Sequence, residues 1–164
     1  MSQVLAWTDG ANMPHHEFKH AGSAAVVQLP ADGGIKVLEW GRYLGHATNN
    51  VAELSGIEQA VVLANRYAPG MPLAVHTDSQ YCQGVLTFLR DKEKWAYRAK
   101  KNRELIERIR RTLPAGDLWE IRWVKGHDGN RLNERADRIA VWCKEKQRDW
   151  VCEYWENAGA PLLE

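Results

Sequence analysis

The chain has 164 residues, 45% hydrophobic and 26% charged, with 22 Lys and Arg against 21 Asp and Glu. That fits one domain able to bury a core without staples, and a net charge of +1 excludes a global field that draws in nucleic acid. Cys82, Cys143 and Cys152 are odd in number and lack C-x-x-C spacing, which excludes a disulfide framework or zinc site and reads as reduced thiols of a cytoplasmic protein.

In chain order, residues 4–8 predict a strand ending at Asp9, and residues 12–22, with Pro14, His15, His16 and His20, predict a solvated loop. Residues 23–29 and 35–43 predict two strands joined as a hairpin across Pro30-Ala31-Asp32-Gly33-Gly34. At Asn50 the apolar period becomes helical and continues to Tyr67, stopping before Pro69-Gly70. Residues 73–77 predict a strand ending at Asp78, after which Ser79 caps a helix to about Arg90. Residues 105–113 form an amphipathic helix and residues 119–124 a strand, and Asn133 caps a last helix through about Lys146.

The order β-β-β-α-β-α-α-β-α implies an α/β fold with one mixed, five-stranded sheet. Three strands are antiparallel because their connections are short, two are parallel through right-handed crossovers, and helices cover the faces. Residues 1–147 read as one domain. Residues 148–164 form an extension without clear period, which either packs back through Trp150, Val151 and Trp155 or serves as a partner-binding strip. The longest apolar run, residues 60–64, is too short for a bilayer, and no leader of basic then apolar residues opens the chain, so no membrane partner is expected. Charge is uneven: residues 90–111 carry ten basic against four acidic side chains, a local +6, and residues 145–164 carry two against five, a local −3.

This topology collects four acids at one edge. With the first strand running up, Asp9 ends it at the top. Glu53 lies in the first turn of the helix that starts there, Asp78 ends the next upward strand, and the loop bearing His127 delivers Asp137 into the first turn of the last helix. That edge, at the carboxyl ends of the parallel strands, is where open α/β sheets place ligands. Glu53 shares a helical face with Ile57, Ala60 and Ala64, and a carboxylate on a core-facing stripe is costly unless paired. Singly, each acid has an ordinary use in a turn, a cap or beside a helix dipole. Together they repel, and an oxygen-only site suits two Mg²⁺ ions, with Mn²⁺ able to substitute. Two ions about 4 Å apart would clamp an in-line displacement at phosphorus, one activating water and the other stabilising the leaving oxygen. His127 would handle a proton near the leaving group or assist product release.

The motifs T-D-G (Thr8 to Gly10), T-N-N-V-A-E-L (Thr48 to Leu54), T-D-S-Q-Y (Thr77 to Tyr81) and W-V-K-G-H (Trp123 to His127), then N-E-R-A-D (Asn133 to Asp137), resemble in this order ribonuclease H of type 1. The resemblance covers about residues 3–147. It implies the ribonuclease H-like fold and an endonuclease that hydrolyses the RNA strand of RNA–DNA hybrids by two metal ions, leaving 5′-phosphate and 3′-hydroxyl ends. It implies metal binding by Asp9, Glu53, Asp78 and Asp137 and a mobile histidine at His127. It also places Gly10 (by its backbone), Asn49, Asn50 and Gln80 in the minor groove, where amides donate to and accept from 2′-hydroxyls. Thr48 would grip a DNA phosphate. Helix capping is the other use of Asn49 and Asn50.

Two stretches depart from the family pattern. A histidine-bearing segment replaces the usual glycine-rich turn after Gly10. The basic handle is shortened, with aromatics reduced to Phe88, Trp95 and Tyr97. Its Lys92, Lys94, Arg98, Lys100, Lys101 and Arg103 keep a charge suited to DNA phosphates, so Lys92, Lys94, Trp95, Lys100 and Lys101 join the expected substrate contacts. The expected partner is the hybrid, bound by a monomer. The alternatives are a nucleic-acid-binding module with a silent site and a nuclease acting on DNA junctions or integrating DNA. The complete acid set and His127 weigh against the first, and Asn49 and Gln80 against the second.

Overall fold

A computed structural model describes residues 2–13, 20–87 and 101–164. The strands are β1 (Val4–Asn12), β2 (His20–Ala31), β3 (Gly34–His46), β4 (Leu73–Thr77), β5 (Trp119–Trp123) and β6 (Trp150–Trp155). The helices are α1 (Asn49–Tyr67), α2 (Gln80–Thr87), α3 (Arg103–Thr112) and α4 (Arg131–Lys146). The sheet order is β5-β4-β1-β2-β3-β6. β1 pairs with β4 and β4 with β5 in parallel, whereas β1–β2, β2–β3 and β3–β6 are antiparallel. This is the expected mixed sheet with one strand more: six, not five.

Two cores occupy the two faces. Val4, Ala6, Ala25, Val27, Leu54, Ile57, Leu73, Val75, Ile106 and Ile121 pack on the α1 side. Ala24, Val26, Val37, Ala136, Ile139 and Cys143 pack on the α4 side. Alternation along β2 explains this, since odd and even residues face opposite helices. Glycines let both helices approach the backbone. A Cβ on Gly10 would lie 2.4 Å from the Glu53 nitrogen, and one on Gly56 would lie 2.9 Å from the Asp9 carbonyl oxygen. On the other face, a Cβ on Gly22 would collide with Ala140 and Lys144 of α4. A buried amide adds to the α1 seam: Ser23 Oγ donates to Gln59 Oε1, and Gln59 Nε2 donates to the Trp40 carbonyl at 2.6 Å.

Several boundaries differ from the sequence-based expectation. β1 continues past Asp9 to Asn12 because β2 pairs with it rung by rung, Asp9 with Ala24 through Asn12 with Ala21. His20 accordingly opens β2 instead of lying in a loop, with its ring 2.5 Å from the Tyr43 hydroxyl; His15 and His16 lie outside the described residues. The cap of α4 is Asn130, three residues before Asn133, and its side chain accepts from the Leu132 and Asn133 N–H groups. Ser79 does cap α2, accepting from the Cys82 N–H at 3.1 Å.

The sixth strand comes from the extension. Trp150, Cys152 and Tyr154 face α4, whereas Val151 is 76% exposed. The inward side chains meet on Glu39 of β3, which is 1% exposed. Arg135 of α4 grips this carboxylate with two hydrogen bonds of 2.7 and 2.8 Å. Trp150 Nε1, Cys152 Sγ and Tyr154 Oη donate to it at 3.0, 3.1 and 2.8 Å. Burial pushes the Glu39 carboxyl up, but the bonds from Arg135, Cys152, Trp150 and Tyr154 outweigh it and hold the group below the ordinary range. The last residues return along α4, where Arg135 donates to the Pro161 carbonyl at 2.9 Å and Trp142 Nε1 donates to that of Glu164 at 3.1 Å.

Candidate active site

The register of β1 and β4 puts two acids side by side. Trp7 is opposite His76 and Thr8 opposite Thr77, where the parallel pairing ends. Asp9 and Asp78 are the next residues on each chain. There β4 turns away into α2 while β1 continues along β2 alone, leaving a notch beside Asp9. Beneath the notch, Trp7 and His76 stack with centroids 4.4 Å apart and planes 8° from parallel.

Glu53 arrives from α1. Thr48 caps that helix by accepting from the Val51 N–H, so Asn49 is the first helical residue and Glu53 the fifth. Glu53 thus lies beyond the first turn, out of the stretch where the helix dipole favours a carboxylate. It is held where it is by the close approach of α1 to Gly10. Ligand oxygens of Asp9, Glu53 and Asp78 all fall within 4.8 Å of one another. Asp137 stands outside this tight group. It is the seventh residue of α4, beyond the first turn expected for it, and its charge still raises the proton affinity of Asp9, Glu53 and Asp78.

Asp9 is 4% and Glu53 5% exposed. Burial first, then the charges of Glu53, Asp78 and Asp137, push Asp9 up to about 10, against only one opposing hydrogen bond from the Gly10 N–H. Burial and Asp78 push Glu53 up to about 8. Asp78 is raised by burial and by Asp137, and His127 partly offsets this. Glu53 Oε2 is buried without a hydrogen-bond partner. An orphaned carboxylate oxygen among crowded acids costs free energy unless a cation completes it. Three oxygen donors with no nitrogen or sulfur fit a divalent ion of the magnesium type.

The surroundings are open. Thr48, Asn49, Asn50 and Gln80 are exposed at the N-termini of α1 and α2, on the same edge as the acids. The Gly10 N–H, expected to face a groove, donates to Asp9 Oδ1 at 2.9 Å. His127 is exposed on the loop after β5 with φ 56°, in the left-handed region. That loop lies against the site, since a Cβ on Gly126 would lie 2.8 Å from Asp78 Oδ2. Trp123 Nε1 donates to the Asp78 carbonyl at 3.1 Å, a contact the motif reading passed over although Trp123 opens W-V-K-G-H. Lys101 is exposed before α3, and Lys92, Lys94, Trp95 and Lys100 lie outside the described residues.

The profile of the RNase H family matches residues 1–144. Ribonuclease H of Treponema denticola is 36% identical over 160 residues, covering 87% of this chain and 98% of its own length. Ribonuclease HI of Streptomyces coelicolor is 38% identical over 147 residues, covering 84% of this chain, which spans 60% of that relative's length. Among solved structures, LC9-RNase H1, described as a type 1 RNase H with the type 2 active-site motif, superposes with a TM-score of 0.78. It is 23% identical and covers 98% of this chain and 82% of its own. The chain belongs to the RNase H family. Within that family it is a ribonuclease, with an acidic cluster at the edge where the β1–β4 pairing ends.

Proposed function

We propose that the protein cuts the RNA strand of RNA–DNA hybrids at the Asp9–Glu53–Asp78 cluster, leaving 5′-phosphate and 3′-hydroxyl ends. The observation that carries this reading is the carboxylate triad, with Asp9 and Glu53 buried and Asp78 half-buried, in a chain of this family. Asp9, Glu53 and Asp78, with Asp137 from α4, would hold two Mg²⁺ ions, for which Mn²⁺ could substitute. Cations held there would supply polarisation of the phosphate and a water nucleophile near neutral pH.

The chain's own groups supply recognition and proton handling. Asn49, Asn50 and Gln80 flank the acids from two helix starts, and their amides can donate to and accept from a 2′-hydroxyl, which only the RNA strand carries. The exposed N-terminus of α1, with Thr48 at its head, suits a backbone phosphate. His127 is near enough to lower the proton affinity of Asp78 and free enough to deliver a proton to the departing oxygen. Lys92, Lys94, Trp95, Lys100 and Lys101 extend the contact along the DNA strand. Cys82, Cys143 and Cys152 are all unpaired, which supports a reducing, cytoplasmic setting. Among the described residues no helix is long and apolar enough to cross a membrane.

The test is cleavage of matched hybrid, duplex DNA and duplex RNA with and without Mg²⁺. Metal-dependent cutting confined to the hybrid is expected. Hybrid binding without cutting would make the protein a binding module, and cutting of duplex DNA would overturn the substrate assignment.

A further inference from the structure

We infer that the C-terminal extension, residues 148–164, is a positioning device for Asp137, setting how far the fourth carboxylate reaches into the cation site. This role presupposes that Asp137 serves the same cations as Asp9, Glu53 and Asp78.

Asp137 is the acid whose place is least fixed by the sheet. Asp9 belongs to β1 and Asp78 directly follows β4. Glu53 is seated by α1 against Gly10 and Gly56. Asp137 rides on α4, half-buried and outside the 4.8 Å group, so a small slide or roll of that helix decides whether its oxygens join the others.

The extension grips α4 on both sides of Asp137. Arg135 lies two residues before it, about 3 Å along the helix axis, and Trp142 five residues after it, about 7.5 Å. Arg135 is 6% exposed and bound at once to Glu39 of β3 and to the Pro161 carbonyl of the tail. Glu39 in turn receives Trp150, Cys152 and Tyr154 from β6. Trp142 donates to the Glu164 carbonyl and packs edge-on against Trp150, with centroids 5.5 Å apart. A third tether holds the start of the helix, where Arg131 approaches Glu156 at 3.7 Å and Glu156 also accepts from Gln28 of β2. These contacts join α4, β2, β3 and the tail into one block, and the family match ends at residue 144, before the extension begins.

A mere buttress would change stability and nothing else. A positioning device changes cation affinity through Asp137. The experiment is Mn²⁺ binding to the full-length protein without nucleic acid, read by electron paramagnetic resonance, alongside melting temperature. Arg135→Lys keeps the charge but loses the two-pronged grip on Glu39, and is expected to weaken Mn²⁺ binding by about tenfold, the lower end for supports behind a metal ligand. Asp137→Asn should give a loss of similar size, and the double variant no further loss, since both act on one group. Trp142→Phe, which removes the tether to Glu164 and trims the packing on Trp150, should move binding the same way by about twofold, and it decides the matter if Arg135→Lys does not fold.

Three results would overturn the inference: lower melting temperatures with unchanged Mn²⁺ binding, losses that multiply in the double variant, or no Mn²⁺ binding by the wild type. The last would also remove the proposed function. Wild-type Mn²⁺ binding without hybrid cleavage would refute the activity alone and leave the role of the tail to the variants.

Discussion

Two clusters of buried carboxylate lie in this small sheet and behave in opposite ways. Glu39 is 1% exposed and held below its ordinary range, because Arg135, Trp150, Cys152 and Tyr154 all donate to it. Asp9 and Glu53 are 4% and 5% exposed and pushed up to about 10 and about 8, first by burial and then by the acids beside them, with no arginine or tryptophan donor among the described residues to reverse it as at Glu39. Burial is nearly the same. The company differs. Among the described residues the first cluster is complete, whereas the second leaves Glu53 Oε2 without a partner.

The sharpest way to break this contrast is Asp78→Asn. Turnover on hybrid should fall by about 10³-fold or more if cation-held charge supplies the main stabilisation of the reaction, with the circular dichroism of the folded chain retained. Asp9→Asn should abolish turnover likewise and raise the melting temperature in chelator, since it relieves repulsion; each kcal/mol gained would appear as about 3 °C. Near-wild-type rates in either variant would refute the cation assignment.

Glu39→Ala should do the reverse. It strands the buried Arg135 guanidinium, and loss of one partner of a buried pair costs about 3–5 kcal/mol, read as a lower denaturant midpoint. An unchanged midpoint would mean that the two clusters do not differ as described. His127→Ala tests the site's edge and not its centre. Turnover should drop by about 10²-fold, the lower end for a lost proton donor, with metal dependence unaltered.

The mildest probe is pH. Asp9 and Glu53 have folded values above their ordinary 3.8 and 4.5, so the folded chain keeps protons that the unfolded chain releases. In chelator, stability should therefore fall as pH rises from about 5 towards 9. Glu39, lowered by its partners, contributes stability that is present above its ordinary 4.5 and lost as the solution becomes more acid. Saturating Mg²⁺ should flatten the alkaline decline, because the ion stands in for the protons. Equal slopes with and without Mg²⁺ would show that the ion does not bind at this cluster. All of this can be followed as melting temperature against pH.

What the sequence made legible follows from how far each feature reaches along the chain. The acids could be read because each lies in a short motif and the strand directions carry all of them to one edge. The strand β4 and the Ser79 cap were legible for the same reason: their signals are local. The cap of α4 was misplaced because Asn130 and Asn133 offer the same side chain three residues apart, and only the helix start chooses between them. β1 was ended too early because Gly10 reads as a turn, whereas it is a contact point for α1. Glu39 and Arg135 are 96 residues apart; Glu39 lies in no motif, and Arg135, inside N-E-R-A-D, carries no local signal of its partner. The strand β6 was hidden because Val151 and Trp155 put apolar residues on its open face and blurred the alternation of Trp150, Cys152 and Tyr154.

The contact at Gly10 has a consequence for how mutations should be interpreted. The room between β1 and α1 there is smaller than one methyl group, so Gly10→Ala would drive Glu53 away from Asp9 as surely as altering either acid. A change that puts one methyl group in place of a hydrogen, far from any ionisable atom in chemical character, would in this molecule be read out as a defect in catalysis.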